Sequence, residues 1–443
     1  MLSAEDNDLL CKVGPGSVGG NLVRQYWLPA LMSSELPKPD GDPMRVRLLG
    51  ENLIAFRDTS GKVGLIQNAC PHRGASLFYA RNEQNGLRCV YHGWKFNTAG
   101  ACLEMPLEPP ESSYKDRVRA TAYPTAERGG IIWAYLGTRT TPPPLPELEA
   151  TQLDQVQLQL AMRECNWVQA MEADLDTGHV GFLHWGSIRL QDTRPGSFAH
   201  YAIKEPSPRY HVVNTDYGTL YGAYRPAEAD SYYWRIGAFL FPFYTMVPVG
   251  VLGLQVGVRC YVPLDDEHTM VWNIEPPPAA LGAARRAGRA GAEFPDGPPP
   301  GHTSEYLPNT SEWLGRWRYV QNPGNDYLID RDLQRTSSYT GILGANQQDQ
   351  GITESMGAYS DRTQEHLGTS DLMIARTRQR LLRAMRALRD SETTPPGVDD
   401  PAVYRVRSGG ALLPRDADWL EATAERRKAF VNHPELEEQA AAF

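Results

Sequence analysis

Cysteine is scarce in this 443-residue sequence, and the scarcity removes a class of fold. Six residues, Cys11, Cys70, Cys89, Cys102, Cys165 and Cys260, are too few and too unevenly spaced for a disulfide scaffold. Their thiolates are therefore free for other chemistry. Positive charge is also short: 44 Lys and Arg face 53 Asp and Glu, a formal net charge of -9. No basic surplus exists to neutralise phosphates, so no nucleic-acid partner is expected. An uninterrupted apolar span is missing as well. The stretch "FLFPFYTMVPVGVLGLQVGV" approaches membrane length but holds Pro242, Pro248 and several glycines, and it suits two buried strands better. The start, "MLSAEDNDLL", is acidic where a secretory signal is basic, and no apolar core follows it. The expectation is a cytoplasmic protein with no membrane partner. Internal repeats, a nucleotide-binding glycine pattern and a ferredoxin-type C-x₄-C-x₂-C are absent too.

What is present divides the chain. Residues from about 45 to 140 read as short strands between turns, as in "MRVRLLGENLIAFRD" and "GGIIWAYLG". The prolines of "TRTTPPPLPELEA" mark a linker. Beyond it, "QAMEADLDTGHVGFLHW" has helical spacing, whereas "YHVVNTDYGTLYGAYR" and "YYWRIGAFLFPFYTMVP" alternate like strands. A proline- and alanine-rich excursion fills 276–301. "TSDLMIARTRQRLLRAMRALRD" predicts a helix capped by Ser370 or Thr369, with Ile374, Leu381, Met385 and Leu388 as its apolar stripe. Arg376, Arg380, Arg383 and Arg386 form its other face, read as solvated, with an acidic docking partner as the alternative. The expected division is an N-terminal segment at 1–44 packed on the catalytic domain, a β domain at 45–145 and a catalytic domain at 146–443.

The chemistry begins at "NACPHRGASLFYARNEQNGLRCVYHGWKF", where Cys70 and His72 are followed by Cys89 and His92. Tetrahedral zinc accepts two Cys and two His, but a zinc finger more often groups its cysteines in one loop. A Rieske [2Fe–2S] cluster takes two thiolates on one iron and two imidazoles on the other. With Cys-x-His in one loop and Cys-x-x-His in the next, each loop can hand one residue to each iron. Pro71, Gly74 and Gly93 supply the tight turns that such loops need.

"CPHRGASL…CVYHGWKF" resembles the Rieske motif of the aromatic-ring-hydroxylating oxygenases. A cluster alone moves one electron at a time, so a second site is expected in the remaining three hundred or so residues. "NWVQAMEADLDTGHVGFLHW" offers Asp176, His179 and His184. Asp176 and His179 are three apart and would share a helix face, whereas His184 would point away unless the helix breaks near Gly178 to Gly181. Two histidines and a carboxylate form the facial triad of non-haem Fe(II) oxygenases. The other histidines, such as His200 and His268, have no partner at ligand spacing.

Spacing leaves the carboxylate open among Asp349, Glu354 and Asp361. The segment "NQQDQGITESMGAYSDRTQEHLGTSD" is similar to that of phthalate dioxygenase-type members, and this resemblance implies Asp349. It further implies that Asp176 is a bridge, taking a hydrogen bond from His179 and from a cluster histidine of a neighbouring subunit. Glu172, Asn166 and Gln169 are expected to support the helix or to bond near the iron.

The fold implied is α+β: an N-terminal all-β Rieske domain, then an antiparallel sheet with covering helices of helix-grip type. The implied assembly is a homotrimer, or a hexamer of trimers. A separate NAD(P)H-dependent reductase would deliver electrons, and O₂ would hydroxylate an aromatic substrate. Cis-dihydroxylation of an aromatic carboxylate is the leading expectation; monooxygenation, O-demethylation or simple electron transfer are the alternatives. Arg189, Arg225 and Arg235 are the candidates for gripping the carboxylate, since guanidinium matches its geometry.

Overall fold

The computed structural model describes residues 2–186, 188–193, 195–277 and 304–436. Most of the 276–301 excursion lies outside the described residues. Strands β1 (Trp27–Met32), β10 (Thr125–Arg128) and β11 (Ile131–Tyr135) form one small sheet. A second joins β2 (Met44–Leu48), β3 (Glu51–Arg57), β4 (Val63–Gln67) and β9 (Ala122–Tyr123). A third, of β5 (Arg81–Glu83), β6 (Gly86–Arg88), β7 (Lys95–Phe96) and β8 (Cys102–Glu104), carries short hairpins outward. Their inward side chains build two cores. Leu77, Leu87, Trp94 and Phe96 pack around Cys70 and Cys89, whereas Trp133 and Tyr135 of β11 belong to the large core shared with the rest of the chain.

The larger sheet is antiparallel in the order β12 (Gln157–Arg163), β18 (Thr269–Glu275), β17 (Val258–Pro263), β16 (Tyr244–Met246), β15 (Ser231–Leu240), β14 (Gly218–Pro226) and β13 (Arg209–Asn214). β19 (Gly409–Pro414) shares with β16 the edge of β15 away from β14. The apolar "FLFPF…" run therefore feeds three strands rather than two: the end of β15, all of β16 and the start of β17. Pro242 and Pro248 stand in the connections, where no ladder donor is needed.

Helices cover this sheet. α1 (Ala4–Cys11), α2 (Val18–Val23) and α3 (Trp167–Leu175) come first, then α4 (Phe198–Lys204), α5 (Arg331–Thr336), α6 (Ala345–Ser355) and α7 (Leu372–Ser391). The fold is thus α+β, as its strand and helix patterns imply. α7 packs against β13, β14, α1 and α2, and its Leu381 and Met385 are fully buried. Neither Ser370 nor Thr369 caps it. Asp371 occupies that position and accepts instead from the Gly368 amide at 2.6 Å, because residues 369–371 form a 3₁₀ turn. The arginine face is not simply solvated. Arg386 pairs with Asp6, Arg380 donates to the Thr215 carbonyl, and Arg383 stays exposed. Among the described residues no helix is long and apolar enough to cross a membrane.

One hairpin joins the parts. In the 264–268 turn between β17 and β18, Asp265 pairs with Arg47 of β2 at 2.7 Å. The Leu49 and Gly50 amides donate to the Pro263 and Leu264 carbonyls. Asp266 accepts from the Val13 amide through its side chain and from Asn166 through its carbonyl. A single turn thus holds the N-terminal helices, the β module and the start of α3.

Candidate metal centres

The first centre lies between two loops of nearly the same construction. Cys70 and His72 follow β4; Cys89 and His92 follow β6. In one loop the Cys70 amide donates to the Ala75 carbonyl and the Gly74 amide to the Cys70 carbonyl, both at 2.8 Å. In the other, the Cys89 amide donates to Trp94 and the Gly93 amide to Cys89, both at 2.9 Å. Each loop turns on a glycine in the left-handed region, Gly74 at φ +77° and Gly93 at φ +78°. The cysteines are buried and the histidines half-buried. The two imidazoles stand edge to face with centroids 4.4 Å apart, and Trp94 stacks on His72 at the same distance.

These donors fit an iron–sulfur cluster. Burial, with the neighbouring Cys89 thiol adding to it, pushes the Cys70 thiol up to about 11. A thiol held up in this way loses its proton readily only against a cation. Burial, then His72 and Arg73, lower His92, favouring the neutral ring a metal requires, and its Nδ1 is buried without a partner among the described residues.

The second centre is assembled from distant chain. Asn166 caps α3, accepting from the Val168 amide, and its own amide group holds the Cys11 and Asp266 carbonyls. α3 ends one turn earlier than its sequence suggests. Asp176 is already extended (φ -95°, ψ 107°), and its carboxylate accepts from the Gly178 amide at 2.6 Å. Asp176 and His179 therefore do not share a helix face. The turn itself brings Asp176 Oδ2 within 3.5 Å of His179 Nδ1.

Val180–His184 then forms a π turn. In an α-helix a residue five on lies about 140° around the axis. With i→i+5 bonding it returns close to the first residue's face, so both rings converge. Their Nε2 atoms are 3.3 Å apart. Asp349 of α6 places Oδ1 3.3 Å from His184 Nε2 and 3.6 Å from His179 Nε2.

This triangle is the size of a metal site. Donors each about 2.0–2.2 Å from an ion, at angles near 90–110°, are separated by about 3–3.5 Å. Asp349 Oδ1 is also buried without a hydrogen bond among the described residues. Burial opposes the charge on Asp349, but His184, His179 and Arg163 hold it well below the usual carboxylate range. Burial likewise opposes the charge on His179, yet Asp176 and Asp349 raise it.

The remaining expected residues separate by role. Gln169 bonds the Thr353 and Gly357 carbonyls and the Ser360 amide, and Glu172 takes Arg378 and Arg362, so both tie α3 to its neighbours rather than to the metal. Glu354 accepts from Tyr327 and the Glu164 amide, and exposed Asp361 holds the Thr363 turn. Arg189, a candidate substrate grip, is exposed and paired with Asp192 at 2.9 Å. Arg225 and Arg235 are buried side by side under Phe198. Sequence reasoning missed Gln348, whose Oε1 lies 2.6 Å from His184 Nδ1. Its only signal was adjacency to Asp349.

Comparison with known proteins gives the family. Residues 26–121 match the Rieske [2Fe-2S] domain family, and residues 134–284 and 311–442 match the family described as LigXa C-terminal domain like. The interruption at 285–310 falls largely within the excursion. The chain is 42% identical to the 3-chlorobenzoate-3,4-dioxygenase oxygenase subunit of Comamonas testosteroni, covering 97% of this chain and 100% of that one. It is 34% identical to the phthalate 4,5-dioxygenase oxygenase subunit of Pseudomonas putida, over 95% and 94%. Dicamba monooxygenase bound to dicamba shares the fold, with a TM-score of 0.54 at 16% identity over 83% of this chain and 99% of that one. The chain belongs to the Rieske oxygenases, enzymes that join a [2Fe–2S] cluster to a mononuclear iron, and is of the oxygenase-subunit type.

Proposed function

We propose that this enzyme is the terminal oxygenase of a multicomponent system that hydroxylates an aromatic carboxylate, leading to a cis-diol, with electrons from a separate NAD(P)H-dependent reductase. The observation that carries the reading is the His179–His184–Asp349 triangle behind a complete Rieske motif, in a chain alike end to end to subunits named for 3-chlorobenzoate and phthalate. Cys70 and Cys89 hold one iron of the cluster, His72 and His92 the other; His179, His184 and Asp349 hold the mononuclear Fe(II). When bound, the cluster supplies electrons and the mononuclear iron activates dioxygen. Asp176 orients His179, and in a homotrimer it would take a second hydrogen bond from a neighbouring subunit's cluster histidine.

The sheet offers a place for the carboxylate. Tyr210 of β13, Ala223 of β14 and Arg235 of β15 are in register across three strands, and Arg225, two residues beyond Ala223, shares their face. Ala223 is the small residue between these longer, polar-tipped side chains. Arg235 donates to Thr177, beside the Asp176 turn. Arg225 Nη1 and Tyr210 Oη are buried and unpartnered among the described residues. Burial and Arg235 push Arg225 down to about 10. A carboxylate bonded by Arg225 and Tyr210 would satisfy both donors and relieve the repulsion.

The test is product analysis on 3-chlorobenzoate, benzoate and phthalate with a surrogate reductase, alongside metal analysis. About three irons per chain with acid-labile sulfide and a cis-diol are expected. A phenol or released formaldehyde would reassign the reaction, and zinc in place of iron would refute the centres. Arg225→Gln should raise KM for carboxylates and leave that for their neutral amides unchanged; equal changes would remove Arg225 from the site.

A further inference from the structure

The side-chain amide next to the proposed iron ligand Asp349 has a task of its own. We propose that Gln348 is a positioning residue that decides which ring nitrogen His184 presents to the metal. This rests on the reading of His179, His184 and Asp349 as the iron ligands. Gln348 is buried and engaged at both ends. Its Nε2 donates to the Ile342 carbonyl at 2.9 Å, a partner that the amide oxygen could not serve. The amide is thereby oriented, and Oε1 is the atom 2.6 Å from His184 Nδ1.

An oxygen acceptor there requires that Nδ1 carry its proton. Nε2 is then the nitrogen that can exchange a proton for a metal, and it faces Asp349 Oδ1 and His179 Nε2. The two imidazoles are supported differently: His179 by the Asp176 carboxylate at 3.5 Å, His184 by a neutral amide at 2.6 Å. Asp349 and Gln348 share α6, so one helix delivers one ligand and orients another.

The test uses the full-length protein with its cluster in place, stripped of mononuclear iron and titrated anaerobically with Fe(II), reading bound metal at equilibrium. Gln348→Glu keeps an acceptor for Nδ1 but cannot donate to the Ile342 carbonyl; Gln348→Met fills similar space and does neither. The expected result is a loss of affinity of about 10–100-fold in the Met variant, with the Glu variant within about threefold of wild type. Unchanged binding by the Met variant overturns the proposal, and so does an equal fall in both, which would assign the effect to the Ile342 anchor. If the Met variant does not fold, the Glu variant decides: retained affinity supports the proposal and a tenfold loss overturns it. His184→Ala is the control for the underlying reading, since undiminished Fe(II) affinity there would undo the ligand assignment itself.

Discussion

The two centres are supported by different parts of the chain. The Cys70/Cys89 cradle is main-chain work: paired loops, matched amide-to-carbonyl bonds and two left-handed glycines. The His179/His184/Asp349 triangle depends on buried side chains: Gln348 on His184, Asp176 on His179, and Gln169 with Glu172 fixing α3. The first should be sensitive to a Cβ where a turn is closely packed and indifferent to most nearby side-chain hydrogen bonds. The second should fail when a remote charge is removed.

The largest expected effect separates the two glycines. A Cβ on Gly93 would lie 2.6 Å from Cγ of Pro106, whereas one on Gly74 meets nothing within 4 Å. Both alanine variants carry the left-handed penalty of about 1–2 kcal/mol, but only Gly93→Ala should lose its cluster, read as iron and sulfide content. Equal retention would show that side chains, not the backbone turns, hold the cradle.

Next is Glu172→Ala. It leaves Arg362 without its carboxylate and Arg378 with Glu365 alone, deep in the fold. Uncompensated buried charge costs about 3–5 kcal/mol, which in a chain of this length lowers Tm by roughly 3–5 °C. Thermal unfolding should show that loss while visible absorption per chain stays at the wild-type level. Parallel loss of cluster would mean that the two centres are not separately supported.

The smallest concerns the joint between the regions. Burial opposes ionisation of Asp265, but His268, the Glu267 amide and Arg47 hold it near about 2. A lowered carboxyl contributes stability that is present above its ordinary pKa and lost as pH falls through the folded value. Asp265→Asn should therefore cost about 2 kcal/mol at neutral pH, and its Tm gap from wild type should close between about pH 4 and 2. His268 is raised, first by Asp265, so its share is full below its ordinary value and fades as pH rises through the raised one. A gap independent of pH would exclude this ion pair as the clasp.

Legibility followed the same division. Cys70, His72, Cys89 and His92 lie within one short stretch, and the glycines that turn their loops are adjacent, so spacing alone exposed the cradle. For the triangle, spacing suggested the histidine pair but not the π turn that aligns it. The helix was expected to run past Asp176, whose side-chain bond to the Gly178 amide ends it instead. Asp349 could not be told from Glu354 or Asp361 without a family resemblance, because what separates them is which carboxylate the fold turns toward His179 and His184, some 165 residues earlier in the chain. Gln348 was opaque, and Arg225 could not be told from Arg189 and Arg235: their unusual feature is what surrounds them, and sequence carries that only through tertiary contact.

The 264–268 turn has an implication for engineering. Because it grips Arg47, Leu49 and Gly50 on one side and Asn166 on the other, it acts as a socket whose plug is the β2–β3 corner. A cluster module transplanted from a related oxygenase would need to bring a matching corner to seat. A poor match would disturb the anchoring of α3, and with it the spacing of two imidazoles in a domain the graft never touched.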